Sequence, residues 1–222
     1  GGGVLLNQCP HNLDLLQWIC GLPCRVRAFC HNGKWHQIEV EDDVTAYLEF
    51  PNGATGVFVT TTADAPGTNR FEITLERGKL VAEHDNLTFF ELEQNERDFC
   101  FTATGGFEQP GGHEVTIELD GKNPQHVGVL NAFAGAILRG EPLVADGTEG
   151  IRGLELSNAM HLSSWTDQTV TLPIDEALFL EKLNEHRKVS KVKTEVTEAT
   201  FDTSDSYGSK VSDNTDKGGV NA

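Results

Sequence analysis

The 222-residue sequence predicts an α+β protein built on a predominantly antiparallel, open β-sheet with helices packed on one face. Two observations predict this class. Between residues 24 and 119, short segments of alternating apolar and polar residues are separated by turns rich in Gly, Asn and Pro, which is typical of hairpin-connected strands. From residue 125 onward, apolar residues recur at helical spacing instead. Strands followed by helices are typical of the α+β class.

Local signals predict the individual elements. The apolar residues 4–6 predict a short strand, and Pro10 at a first helical position with Gly21 just past the last predicts a helix between them. Asn52 and Gly53 predict the turn of a hairpin. Further strands are predicted at 24–30, 44–50, 54–62, 71–75, 79–83, 87–92, 99–102 and 114–119, and further helices at 125–138, 148–165 (capped by Thr148) and 175–187.

The charge and hydropathy of the sequence argue against two classes of binding partner, nucleic acids and membranes. The formal net charge is −17, and an acidic surface repels both nucleic acid and anionic membrane surfaces. No apolar run is long enough to span a bilayer. We therefore expect a soluble protein whose partners are neither nucleic acids nor membranes.

The cysteines point to a reducing compartment. Their number is five, their spacing is irregular, and no secretion signal is recognisable, so free thiols in the cytoplasm are expected rather than a disulfide framework. No Cys-x-x-Cys pair is present, so no metal site is predicted.

The domain organisation is expected to be simple. Residues 1–187 are predicted to form one α+β domain, and the polar residues 188–222 a mobile tail with too little apolar surface to order itself. Because the chain begins at Gly1 rather than Met, we expect it to be part of a longer protein whose missing segment lies upstream.

A candidate site lies where the first strand is predicted to meet the first helix. His11 falls in the first helical turn, where the helix dipole favours the neutral imidazole, which can accept a proton. Asp14 and Trp18 share its helix face, and Asn7 precedes the helix. The alternative interpretation is an ordinary helix start with a solvated histidine and a core tryptophan.

This opening resembles the C-terminal domain of the Gfo/Idh/MocA family of nicotinamide-dependent oxidoreductases. The match is a Gly-rich start followed by Asn7-x-x-x-His11-x-x-Asp14, with Asn7 where the family usually has Asp. Weaker matches follow in the expected order up to about residue 180: Trp18-x-x-Gly21, the acidic run 41–43, the turn 52–54, the loop 66–70, the segment 77–80 and a helix ending at Gly140.

The resemblance implies a fold like the C-terminal domain of glyceraldehyde-3-phosphate dehydrogenase. It also implies an oxidoreductase that uses NAD or NADP to oxidise a secondary alcohol of a sugar, inositol or similar polyol. No Gly-x-Gly-x-x-Gly motif occurs here, so the cofactor would be bound mainly by an N-terminal Rossmann domain outside this chain. The chain would then be a substrate-binding and oligomerisation domain, forming homo-oligomers through its sheet and inactive alone.

The resemblance also implies residue roles. His11 would be the acid/base, Asn7 would hydrogen-bond the reacting or an adjacent hydroxyl, and Asp14 and Trp18 would support the site. For Asp14 the alternative is simple stabilisation of the helix start.

Two further candidates lie elsewhere in the chain. Arg70, at the end of a loop, and His126, at a helix start, are candidate substrate contacts. The alternatives are a surface ion pair for Arg70 and an ordinary helix-start residue for His126.

Two other classes of function remain open. The chain could serve only as a protein-interaction module that pairs subunits through its sheet. It could also be a non-catalytic sugar-binding module, which would need exposed aromatic side chains; the candidates are Trp18, Trp35, Tyr47 and Trp165.

Overall fold

The computed structural model describes residues 2–83, 86–122 and 124–191. These residues form two four-stranded antiparallel sheets and six α-helices, which confirms the α+β class. The predicted single sheet is in fact two. The elements are α1 (Val4–Asn7), α2 (Pro10–Cys20), β1 (Arg25–Asn32), β2 (Glu41–Glu49), β3 (Thr55–Thr61), β4 (Arg70–Leu75), β5 (Gly78–Glu83), β6 (Asn86–Leu92), α3 (Glu96–Thr102), β7 (Gly112–Val115), α4 (Gln125–Arg139), α5 (Gly150–Thr166), β8 (Val170–Thr171) and α6 (Glu176–Val189).

The first sheet has the strand order β3-β2-β1-β8. Its central hairpin turns at Asn52 and Gly53: the Asn52 side chain accepts the Ala54 N–H, and Gly53 has a φ of +85° that favours glycine. Alternation places Val44, with Ala46 and Leu48, on the buried face of β2. The hairpin predicted from Asn52-Gly53 is therefore confirmed.

The core lies between this buried face and the helices α1, α2 and α5. Leu156 and Met160 of α5 are fully buried against the sheet, and Leu5 and Leu13 bring α1 and α2 to the same cluster. Such a cluster is the dominant source of folding free energy.

The second sheet has the order β4-β5-β6-β7 and is a meander of neighbouring strands. Gly78 is required where β5 begins, because its φ is +154° and a Cβ there would lie 2.3 Å from the Phe90 carbonyl oxygen. None of the described strands of this sheet contributes to the buried core cluster.

Four predicted features are wrong in their local form. Residues 4–6 begin the short helix α1 instead of a strand, and residues 99–102 lie in α3, whose first turn is capped by the Asn95 side chain. The predicted strand 114–119 is shorter and shifted, since β7 spans Gly112–Val115. At the start of α5, the carboxylate of Asp146, not Thr148, caps the preceding 3₁₀ turn.

The predicted domain boundary falls within the last helix. Helix α6 begins after its cap Asp175 and continues to Val189, two positions beyond the expected limit of 187. Residues 192–222, most of the predicted tail, lie outside the described residues. Within the described residues, no helix is both long and apolar enough to cross a membrane.

Candidate functional site

The predicted site lies on two consecutive helices. Helix α1 has Gly3 at its N-cap and therefore no capping side chain of its own. The carboxylate of Glu41, from the start of β2, accepts the Leu5 N–H at 3.0 Å instead. Helix α2 begins with Pro10 and ends at Gly21, whose φ is +80°, which confirms the predicted limits. His11 thus sits in the first turn of a well-defined helix.

His11 and Asp14 open onto a cleft of about 540 Å³. The opposite side is formed by residues 145–154, the 3₁₀ turn and first turn of α5. Leu5 and Ser157 also line the cleft. A concave space lined by apolar and a few polar groups is the usual form of a small-molecule site.

Only two of the four candidates in the first helices line this cleft. Asn7 is exposed at the end of α1, and the Trp18 side chain is 71% exposed; neither is among the lining residues. The carboxylate of Asp14 accepts a hydrogen bond from Gln17 at 2.8 Å, within the same helix. Among the described residues, Asp14 is therefore engaged by Gln17 rather than by the His11 ring.

Arg70 and His126 lie away from the cleft. The Arg70 guanidinium is paired with Glu72 and Glu83 on the second sheet, each at 2.6 Å. These hydrogen bonds, to Glu72 first, raise the pKa of Arg70. His126 is exposed in the first turn of α4. The loop before β4 does approach α2, where Asn12 donates to the side chain of Asn69 at 3.2 Å.

Sequence reasoning missed a buried ion pair behind the cleft. The second oxygen of Glu41 lies 3.1 Å from Nε2 of His161 in α5. Burial works against ionisation of Glu41, but the hydrogen bond and charge of His161 and the Leu5 N–H outweigh it and lower the pKa of the carboxyl. Gly3 leaves room for this carboxylate, because a Cβ there would lie 2.2 Å from the Glu41 carboxyl carbon, a requirement that only the fold reveals.

The cleft lining is acidic. It includes the carboxylates of Asp14, Asp146 and Glu149, and no lysine or arginine is among the described lining residues. The backbone N–H and hydroxyl of Thr148 lower the pKa of Asp146, which therefore stays charged. The three carboxylates would repel the phosphates of a nicotinamide cofactor, so the charge of this lining does not fit its pyrophosphate.

The five cysteines are all free, as predicted. Burial and, second, the charge of Glu41 raise the pKa of Cys30 to about 12. Burial also raises the pKa of Cys9, which lies 2.9 Å from the Thr60 hydroxyl, and that of Cys20. Cys100, on α3, is exposed.

The aromatic candidates for sugar binding lie on separate elements. Trp18, Trp35 and Tyr47 are partly exposed on α2, on the loop before β2 and on β2 itself. Trp165 packs between helices, with its ring centroid 5.4 Å from that of Phe179 and 4.8 Å from that of His186.

The fold and the cleft define an α+β domain in which an exposed histidine borders an open cleft. Comparison with known proteins agrees with the expected family: residues 1–81 match the model of the GFO/IDH/MocA C-terminal domain. The resemblance expected from Asn7, His11 and Asp14 is thereby confirmed, since all three fall within the matched segment.

Individual relatives and solved structures are also similar to this chain. An uncharacterized protein, y4oX, of Sinorhizobium fredii is 24% identical over 159 residues, covering 69% of this chain and 42% of the relative. The WlbA dehydrogenase of Chromobacterium violaceum, solved with NADH and UDP-GlcNAcA, is 27% identical with a TM-score of 0.60, over 78% of this chain and 47% of its own. The aldose-aldose oxidoreductase of Caulobacter crescentus, solved with glycerol, has 21% identity and a TM-score of 0.57, over 77% and 48%. The chain spans about half the length of each.

Proposed function

We propose that this chain is the substrate-binding and oligomerisation domain of an NAD(P)-dependent oxidoreductase that acts on a secondary alcohol of a sugar, inositol or similar polyol. The observation that carries the proposal is the position of His11: it opens onto the cleft at the start of α2, within the segment that matches the family. The solved relatives are dehydrogenases and oxidoreductases.

In this proposal His11 takes the hydroxyl proton as the alcohol is oxidised. A positioned imidazole within hydrogen-bond reach of the hydroxyl lowers the barrier to that proton transfer, and it returns the proton in the reverse reaction. Asn7 lies at the end of α1, outside the cleft lining, so a contact with substrate requires a substrate that extends beyond the cleft. The same condition applies to Trp18, Arg70 and His126.

The charge of the cleft favours a neutral polyol over an anionic sugar. Three carboxylates line it without a described cation, so a phosphate or uronate group there would meet like charge. Carboxylates accept hydrogen bonds well from sugar hydroxyls. We therefore place a neutral sugar or inositol first among substrates.

The nicotinamide cofactor, NAD or NADP, would be bound by a Rossmann domain outside this chain, and when bound it supplies the hydride acceptor. Apolar side chains on α4 support such a neighbour: Val127, Leu130 and Ile137 are each about two-thirds exposed on a helix. Exposed apolar patches of this kind mark surfaces that another domain or subunit covers.

The proposal is tested in the protein encoded by the complete reading frame. With NAD or NADP and a panel of neutral polyols, His11→Ala is expected to lower kcat/KM by about a hundredfold or more, because it removes the positioned proton acceptor. The control is His113→Ala, which changes an exposed histidine on β7, in the second sheet. Near-normal rates for the His11 variant would remove this residue from the mechanism.

The oligomerisation role is supported by the outer face of the first sheet. Val57 and Val59 of β3 are 69% and 64% exposed there, and Phe29 and Tyr47 of the neighbouring strands are about half exposed. Thr60, the next residue of β3, lies on the opposite, inner face, where its hydroxyl is 2.9 Å from the Cys9 thiol. A broad apolar face of this kind favours pairing with a second copy of the chain.

Light scattering tests this role. Val57→Asp combined with Val59→Asp is expected to reduce an oligomer to the monomer mass, because two charges would be desolvated at the interface. Val189→Asp, an equally exposed valine at the end of α6, serves as the control. A monomeric unmodified chain would rule out self-association through this sheet.

A further inference from the structure

The buried ion pair behind the cleft has no role in the chemistry proposed above. We propose that Glu41 and His161 form a positioning pair: a carboxylate–imidazolium contact that anchors α1 to α5 and so holds the cleft wall that carries His11. Only the importance of that wall rests on the proposed function; the pair itself is argued from geometry.

Both partners are almost fully removed from solvent. Glu41 is 3% exposed and His161 is 9% exposed. One carboxylate oxygen faces Nε2 of His161 at 3.1 Å, and the other accepts the Leu5 N–H at 3.0 Å. A buried carboxylate is tolerated only when such partners compensate for the lost hydration.

Hydrogen bonding fixes the proton count of the histidine ring. Nδ1 of His161 lies 2.9 Å from the carbonyl oxygen of Ser157, which can only accept. Nε2 faces the Glu41 carboxylate, which also only accepts while it is ionised. His161 therefore donates from both ring nitrogens and carries a positive charge whenever Glu41 is charged.

The other titratable groups near the pair leave this balance intact. The thiols of Cys9, between α1 and α2, and of Cys30, on β1, both feel the charge of Glu41. Burial first, and that charge second for Cys30, raise their pKa values, so both stay neutral. The His161 ring also lies beside the uncharged Trp165, with 5.3 Å between the ring centroids. The two charges thus compensate each other.

The pair joins the two sides of the cleft. On one side, Glu41 substitutes for the missing cap of α1, which leads through Cys9 into α2 and to His11. On the other side, the His161 ring is hydrogen-bonded to the carbonyl oxygen of Ser157. Ser157 lines the cleft together with Leu5. Loss of the pair would free the first turn of α1 and move His11 relative to α5.

Nitrogen NMR of the unmodified chain, labelled at histidine, tests the proton count directly. At about pH 7.5 an exposed imidazole is mostly neutral. One histidine, absent from the spectrum of His161→Gln, is expected to show protons on both ring nitrogens. A His161 ring with a single proton at this pH would overturn the charged pair.

Glu41→Gln tests the anchoring. The glutamine keeps the shape and can still accept from Leu5, but it lacks the charge, so His161 is expected to lose one ring proton. Exchange of the Leu5 amide hydrogen is expected to accelerate about tenfold, because hydrogen bonds to charged acceptors are stronger. The matched control is Asp42→Asn: Asp42 is fully buried and accepts backbone N–H groups of Lys34 and Trp35, away from α1. Equal Leu5 exchange in both variants would contradict the proposal.

Turnover separates this proposal from the proposed function. In the complete protein, Glu41→Gln is expected to lower kcat about tenfold or more with little change in KM, since small displacements of a catalytic group are costly. Altered Leu5 exchange with unchanged turnover would leave the pair in place but refute its role in positioning His11. Loss of activity with normal Leu5 exchange would refute the anchoring itself.

Discussion

The first sheet and the second sheet differ in what supports them. The buried cluster of the described residues comes from the first sheet, the helices packed on it and the segments that join them, and Leu48, Leu156 and Met160 are among its fully buried members. In the second sheet the strands are partly exposed, and ion pairs such as Arg70 with Glu72 and Glu83 run along its surface. Hydrophobic burial therefore stabilises one half, whereas the other depends on strand pairing and exposed charges, which contribute little.

The largest expected effect comes from opening a cavity in the first half. Leu156→Ala should lower the free energy of unfolding by about 2–5 kcal/mol, because this side chain is fully buried in the cluster. Ile137→Ala, on the exposed α4, should change it by less than about 0.5 kcal/mol. Urea unfolding followed by circular dichroism measures both. Similar losses for the two variants would show that α4 is part of the folded core.

A smaller effect is expected where the backbone approaches Glu41. Gly3→Ala would place a methyl group 2.2 Å from the Glu41 carboxyl carbon and should cost about 1–3 kcal/mol in unfolding free energy. Gly147→Ala is the control, since a Cβ at Gly147 meets open space. A neutral Gly3→Ala in the same thermal or urea measurement would indicate that α1 can shift away from β2 at no cost.

The smallest expected effect is a difference in how the stabilising contributions of a buried and an exposed carboxylate depend on pH and salt. The pKa of Glu41 is lowered, so its stabilising contribution is present above the ordinary carboxyl pKa and is lost as pH falls through the lowered value. Hydrogen bonds from Lys79 and then Arg70 lower the pKa of exposed Glu72 to about 2. Stability measured from pH 6 to pH 3 should fall less steeply in the double variant Glu41→Gln with His161→Gln, which removes both titrating groups of the pair, at both low and high salt. The corresponding change in Glu72→Gln should vanish at about 0.5 M salt, because salt screens exposed pairs. Equal salt sensitivity of the two would contradict the burial of Glu41.

Helices whose ends are marked by proline or glycine were predictable from the sequence. Pro10 and Gly21 bound α2, and Gly140, in the left-handed conformation, ends α4 as expected. The strand predicted at residues 4–6 was wrong, because three consecutive apolar residues show no periodicity that distinguishes a strand from a helical turn. For α3 the sequence does contain a signal for a helix start, the capping residue Asn95, although the strand prediction for residues 99–102 did not use it.

The candidate site was predictable only where its residues are close in sequence. His11 and Asp14 lie one helical turn apart, and both reach the cleft. Glu41 and His161 are brought together by packing of α5 on the first sheet, which no local pattern encodes. The opposite side of the cleft is formed by residues 145–154. It could not be predicted from the sequence either, because its position also depends on the packing of α5 on the first sheet.

The different exposure of the cysteine thiols allows a label to be placed selectively beside the second sheet. Alkylating reagents attack thiolates, and burial keeps Cys9 and Cys30 protonated while Cys100 faces solvent on α3. A maleimide dye added briefly at neutral pH would therefore mark α3 first, without mutagenesis. Its fluorescence would report events around the second sheet before the partly buried thiols of Cys20 and Cys24 react.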